Sequence, residues 1–300
     1  MTKRAYAVVG ATGTVGTSVA GELLARGHEV RAIGRSAEKL AKLSQRGAKP
    51  FAGDFASVSM LAEAFTEAAG VFAFLPPGYE HPDLGAHQDR VGEAIVEALR
   101  RSKASRVVQL SSLGAQHQGG TGPIAGLHRQ EQRLREVPGL DVVNLRAGTF
   151  LENHLVAIPG LKAEGVFGGP IRGDRPIAMV SARDVGTKAA GLLDALAFRG
   201  RSDLELSGPR DVSFDEAARI LGAAIGKPDL RYTRLPWEQV EAALASAGSS
   251  PRNVRLFLEM FRAIDEGRVA PTHPPGPEES GRTTIEAFAR DVFAPAWRAA

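Results

Sequence analysis

The sequence predicts a doubly wound α/β fold, a parallel sheet with helices on both faces, joined to a smaller, mainly helical C-terminal lobe. Three observations predict it. Short apolar runs alternate with helix-length segments through the first half of the chain, which is the rhythm of βαβ units. Three glycines recur at three-residue intervals between the first apolar run and the first helical pattern, in Val8-Val9-Gly10-Ala11-Thr12-Gly13-Thr14-Val15-Gly16. After Leu145 the rhythm gives way to Gly- and Pro-bearing turns at Ile158-Pro159-Gly160 and Gly168-Gly169-Pro170, and then to segments of helical periodicity.

Taken in order, strands are expected at Ala5 to Val9, Glu29 to Ile33, Lys49 to Gly53, Gly70 to Leu75, Arg106 to Leu110 and Asp141 to Leu145. Helices are expected near Val15 to Arg26, Ala37 to Arg46, Val58 to Ala68, Ala86 to Ser102 and Ile124 to Val137. In the fourth of these, Val91, Ala94, Ile95, Ala98 and Leu99 form one buried stripe at helical spacing. Right-handed crossovers would pack these helices on both faces of the sheet. Ile177-Ala178-Met179-Val180 reads as a return to the sheet, followed by a helix through Ala189, Ala190, Leu192 and Leu193 that ends at Gly200.

Beyond Gly208-Pro209, Ser213 to Glu216 matches a capping box and Pro236 stands at a favoured helix start. Val254, Phe257, Leu258, Phe261 and Ile264 share a face that reads as core; Trp237 and Phe257 either fill that core or line a pocket, and core is preferred. Pro271 to Gly281 reads as a mobile loop, after which Thr283 to Glu286 restarts a helix. The expected division is a nucleotide-binding domain over 1-151, to which 177-208 returns, and a substrate lobe made of 152-176 and 209-300.

Composition narrows the function classes. With 43% hydrophobic and 24% charged residues the chain is an ordinary globular one. Its surplus of three positive charges argues no bulk attraction to nucleic acid or membrane. Zero cysteines exclude disulfides, thiolate nucleophiles and zinc–thiolate sites, so redox chemistry needs a cofactor. No apolar run reaches membrane-spanning length and no leader-like segment opens the chain, so a cytoplasmic address is expected. The G-x-S-x-G, H-E-x-x-H and Walker patterns are all missing, and His81, Asp83 and His87 match no established ligand spacing, so no metal is expected.

The glycine run is the most informative motif. A dinucleotide site needs a tight turn, a close backbone approach to pyrophosphate, and amides of a helix N-terminus aimed at that charge. Gly10 would serve the turn, Gly13 the approach and Gly16 the helix–sheet contact, with Thr12, Thr14 and Val15 supplying the intervening backbone. At the end of the second strand stand Arg35 and Ser36, with Lys39 one turn on. A guanidinium there matches the 2′-phosphate of NADP and favours NADPH over NADH; otherwise Arg35 merely solvates a helix start. Asp54, followed by Phe55, either accepts from an adenine amino group or caps the next helix. The loop Pro76-Pro77-Gly78-Tyr79-Glu80-His81-Pro82-Asp83 falls where open α/β sheets bind ligands, and reads as a wall with Tyr79 facing substrate.

These landmarks, together with Gly53-Asp54, Leu110-Ser111-Ser112 and Ser181-Ala182-Arg183-Asp184-Val185, resemble the atypical short-chain dehydrogenase/reductases. Within them the closer resemblance is to the NmrA-like group, with its quinone-oxidoreductase-like and isoflavone-reductase-like members. The resemblance implies a Rossmann fold, Leu75 and Pro76 beside the cofactor, and Ala147, Gly148 and Phe150 past its nicotinamide end. It also implies Asn153 at the substrate edge.

One departure bears on mechanism. The wider superfamily uses a serine with a Tyr and, four residues later, a Lys. Here the three tyrosines, Tyr6, Tyr79 and Tyr232, are followed at that spacing by Gly10, Asp83 and Pro236. Ile124 and His128 stand where the pair would fall. The reading is therefore an NADPH-dependent oxidoreductase passing hydride to a quinone or similar conjugated electrophile, an aromatic small molecule. Ser111 or Ser112 would bond a carbonyl, and His128 would donate or orient; His128 otherwise is a solvated helix residue, and Glu131 only its surface neighbour. The alternative is a non-catalytic NAD(P) sensor of the NmrA type acting through a protein partner.

Overall fold

The computed structural model describes residues 3–300. Its first part is β1 (Ala5–Val9), α1 (Thr14–Ala25), β2 (Glu29–Gly34), α2 (Ala37–Ser44), β3 (Lys49–Ala52), α3 (Val58–Phe65), β4 (Gly70–Ala73), α4 (Leu84–Ser102), β5 (Arg106–Ser112), α5 (Ile124–Arg135) and β6 (Asp141–Ala147). The second part is β7 (Thr149–Phe150), α6 (Ile158–Ala163), β8 (Phe167–Gly169), β9 (Ile177–Val180), α7 (Ala182–Ala195), β10 (Arg201–Leu206), β11 (Asp211–Val212), α8 (Phe214–Ala224), β12 (Tyr232–Arg234), α9 (Trp237–Ser246), α10 (Pro251–Glu266), α11 (Ile285–Phe288) and α12 (Ala294–Ala299).

The main sheet has seven strands in the order β10-β6-β5-β4-β1-β2-β3, paired in parallel throughout. Parallel strands are buried on both faces, which is why β1 and β4 read as continuous apolar runs. One face is covered through Val19 and Leu23 of α1, Leu40 of α2, and Val185 and Leu193 of α7. Leu61 and Phe65 of α3, Val91 and Ile95 of α4, and Leu134 of α5 cover the other. Each of these buried side chains stabilises the fold by about 1.5–3 kcal/mol relative to exposure. A third core lies in the other lobe, around Leu151, Phe167, Leu221, Phe288 and Phe293. Among the described residues no helix is long and apolar enough to cross a membrane.

Three expectations need correction. Ile177 to Val180 does not rejoin the main sheet: β9 pairs with β7 and β11 in a separate three-stranded sheet. The seventh main-sheet strand is β10, an edge strand buried only at Leu206 and Glu205, so its first residues are polar and give no apolar run to read. Helix α7 still packs into the core that α1 and α2 build on the main sheet, where Gly186 lets it approach Ser18 of α1. Pro271 to Gly281 is fastened rather than loose: Ser207 N donates to Glu279 O at 2.9 Å, and Thr272 donates twice to Glu205 at 2.8 and 2.9 Å. Finally, Trp237 packs with Val240, Val254 and Leu258 in a small core, whereas Phe257 turns its ring to Tyr79, 5.4 Å between centroids.

Candidate dinucleotide and substrate site

The sequence-predicted residues converge on one edge of the sheet, the carboxyl ends of β1, β2, β4, β5 and β6. Open α/β sheets bind ligands at that edge because the strand order reverses there and leaves a crevice.

The turn after β1 is built from backbone. Gly10 has φ +65°, in the left-handed region, and a Cβ there would also strike the Phe74 ring at 2.1 Å. A Cβ on Gly16 would stand 2.1 Å from the Gly10 carbonyl oxygen, so only glycine lets α1 pack this close to the turn. Gly13 differs: it is exposed, and its added Cβ would meet nothing nearer than 3.4 Å. It is also the N-cap of α1, and no side chain caps that end. The exposed amides of a twelve-residue helix N-terminus suit an anionic group. Val15 is buried in the core and offers only its backbone, while Thr12 is half-buried and Thr14 exposed.

At the end of β2, Arg35 is 57% exposed and its Nη1 donates to Glu80 Oε1 at 2.8 Å. Ser36 caps α2 by accepting from Lys39 N at 3.2 Å, and the Lys39 side chain is exposed. After β3, Asp54 Oδ1 accepts from Ala56 N at 3.0 Å and Phe55 is buried in the sheet-face core. Leu75 and Pro76 are buried beyond β4, and Tyr79 is 58% exposed.

The loop after β4 is tied to the C-terminal lobe by residues that no local sequence pattern singles out. Asn253 of α10, fully buried, donates through Nδ2 to His81 O at 2.7 Å and accepts through Oδ1 from Leu84 N at 3.0 Å. Ser250 Oγ donates to Pro82 O at 2.6 Å. His81 and His87 stack at 4.0 Å, and burial is the main cause that holds His87 below the ordinary histidine pKa. Asp83 caps α4 and pairs with Arg252.

The centre of the edge is a buried charged network. Ser111 Oγ donates to Glu131 Oε1 at 2.6 Å, and Arg146 donates to both oxygens of Glu131 at 3.0 and 2.6 Å. Arg146 also pairs with Asp203 at 3.0 Å. Burial works against the Arg146 charge, but Glu131 and then Asp203 outweigh it and raise its pKa. Glu131 is thus not a surface neighbour of His128: it is 1% exposed. Ser112 Oγ donates to Leu113 O at 2.8 Å, so both serine protons are committed inside the protein. His128 lies one turn before Glu131 on α5, and its Nδ1 bonds the Ala115 carbonyl at 2.9 Å. A carbonyl only accepts, so Nδ1 carries a proton in this bond and Nε2 is the ring nitrogen that it leaves free.

At the far end of the edge, Ala147 and Gly148 are buried, and a Cβ on Gly148 would strike Ala178 O of β9 at 2.5 Å. Phe150 is half-buried against the core and Asn153 is exposed. Burial pushes the neighbouring Glu152 carboxyl up, while Ala182 N, at the start of α7, donates to it at 3.0 Å.

Fold and site together define a doubly wound α/β protein with a dinucleotide-type glycine turn. The chain belongs to the NmrA-like family, whose profile matches residues 2–289. It is 27% identical over 287 residues to an NAD(P)H azoreductase of Xenophilus azovorans, covering 94% of this chain and 96% of that relative. In fold it is similar to the NADPH-dependent quinone oxidoreductase of Escherichia coli complexed with NADPH: TM-score 0.80, 21% identity, 96% of this chain and 99% of that one. It is similar also to NmrA, a negative transcriptional regulator, in complex with NADP: TM-score 0.75, 19% identity, 100% and 98%.

Proposed function

We propose that this protein is an NADPH-dependent oxidoreductase that passes hydride to a flat conjugated acceptor, of which a quinone is the type, without a tyrosine–lysine relay. The open glycine turn supports the cofactor: Gly13 and the uncapped start of α1 would take the pyrophosphate, and Arg35 the 2′-phosphate. Ser36 and Lys39 flank Arg35, while Leu75, Pro76 and the Ala147 to Phe150 stretch would border the nicotinamide. The relative that reduces azo compounds and the quinone-reducing structural neighbour support the reaction class.

The observation that carries the acceptor class is the commitment of both serine protons, to Glu131 and to Leu113, in a chain without the tyrosine–lysine pair. Such a site has little acid to offer an alkoxide. When bound, the nicotinamide supplies the hydride. A quinone suits these residues because its reduction leaves a stabilised phenolate that water can protonate, so the protein has chiefly to hold the acceptor flat. Tyr79, exposed and buttressed by Phe257, offers a ring for that, and His128 Nε2 a polar contact.

The test is NADPH consumption at limiting protein against a series of simple quinones, with NADH as the matched control. Many turnovers, faster with NADPH, are expected. Cofactor that binds with no turnover on any acceptor would instead favour the alternative role, a redox-sensing regulator that works through a protein partner.

A further inference from the structure

The loop between β4 and α4 is held over three consecutive residues. Asn253 and Ser250 fix His81 and Pro82 to α10, and the adjoining Glu80 pairs with Arg35. Strand β1 lies between β4 and β2 in the sheet, so the Arg35–Glu80 contact spans the carboxyl end of β1, where the glycine turn stands. Resting on the NADP reading above, we propose that Glu80 is a positioning residue for cofactor choice. Its carboxylate holds Arg35 in the free protein and competes with the cofactor's 2′-phosphate for that guanidinium.

The competition follows from charge and valence. Carboxylate and phosphate both seek the planar donors of the guanidinium, and two anions on one fork repel each other. A cofactor without the 2′-phosphate leaves the pair intact; a cofactor with it must displace Glu80. The backbone beside Glu80 stays in place when the pair breaks, because Asn253 is fully buried and uses both ends of its amide to hold His81 and Leu84, so the carboxylate remains within reach of Arg35. Glu80 therefore lowers the advantage of NADP over NAD below what Arg35 alone would give. A purely structural role for the same ion pair, holding the loop in place, would change the binding of both cofactors alike.

Calorimetric titration of NADP and of NAD into the wild type, Glu80→Gln, Arg35→Ala and the double variant separates these. Both positions are exposed, so the variants are expected to fold. Glu80→Gln should tighten NADP by about fivefold, the scale of an exposed ion pair plus relief of anion repulsion, and leave NAD unchanged. In the Arg35→Ala background the same substitution should leave NAD unchanged and tighten NADP by no more than about twofold, since only the anion repulsion is then relieved. Equal shifts for the two cofactors, or an unchanged NADP affinity in Glu80→Gln while Arg35→Ala still loses NADP selectively, would overturn the proposal. A wild type that binds neither cofactor would overturn the NADP reading itself.

Discussion

The two ends of the crevice are made of different material. At β1 the site is backbone: glycines whose missing Cβ atoms leave room, and a helix start with no side chain over it. At β5 and β6 it is side chain: Ser111, Glu131 and Arg146 joined in a buried network whose outer end reaches the exposed Asp203. A backbone site presents fixed amides to a constant feature of its ligand, a pyrophosphate. The buried network spends its polar groups on each other and stiffens the ends of β5 and β6.

That contrast can be broken at several points. Glu131→Ala should be the most damaging change, because it takes from Arg146 its buried bidentate partner and leaves only the exposed Asp203; a loss of about 3–4 kcal/mol in denaturant unfolding is expected, and a loss below about 1 kcal/mol would mean that the network does not stiffen this part of the fold. Next comes His154, buried among Phe167 and Phe214 in the other lobe, where burial holds its pKa down to about 4. Its neutral ring contributes stability that is fully present above the unfolded value near 6.5 and is lost as pH falls toward 4. The contribution amounts to about 3 kcal/mol. His154→Phe should therefore flatten the acid limb of a stability–pH profile, and an unchanged limb would refute the assignment.

The glycines sharpen the comparison at smaller cost. Gly16→Ala should destabilise the fold by about 2 kcal/mol through overpacking against Gly10. Gly13→Ala, with open space before it, should leave thermal unfolding in place and weaken cofactor binding; similar unfolding losses in both would erase the distinction between a packing glycine and a ligand-facing one. Smallest is His128→Ala, expected to cut quinone turnover by about tenfold, the scale of one lost positioning hydrogen bond, with unfolding unaltered. Unchanged turnover would leave His128 as a helix residue bonded to Ala115 and nothing more.

What could be read in the sequence follows the same division. The glycine spacing and the alternating runs are local, so β1 to β6 and the turn are legible in the amino-acid order itself. Arg35 is legible too, because its position after β2 is fixed by chain distance from the turn. The hidden parts depend on residues far apart. Glu80 meets Arg35 across 45 residues and Asn253 meets the same loop across 172, and no periodicity records either meeting. Glu131 looks like a charged helix residue among others, since nothing local shows that its face of α5 lies on β5. Phe257 carries the spacing of a core residue, and only the position of Tyr79 turns it toward the crevice. Strand β10 escapes notice for want of an apolar run, while Ile177 to Val180 has one and joins a different sheet.

The most direct test of the cofactor site is a pair of titrations, NADPH and NADH, into the wild type and Arg35→Ala. The substitution is expected to weaken NADPH by about thirtyfold, the loss of a charge-assisted phosphate contact, and to leave NADH within a factor of about two. Equal weakening of both cofactors, or none of either, would contradict the role given to Arg35.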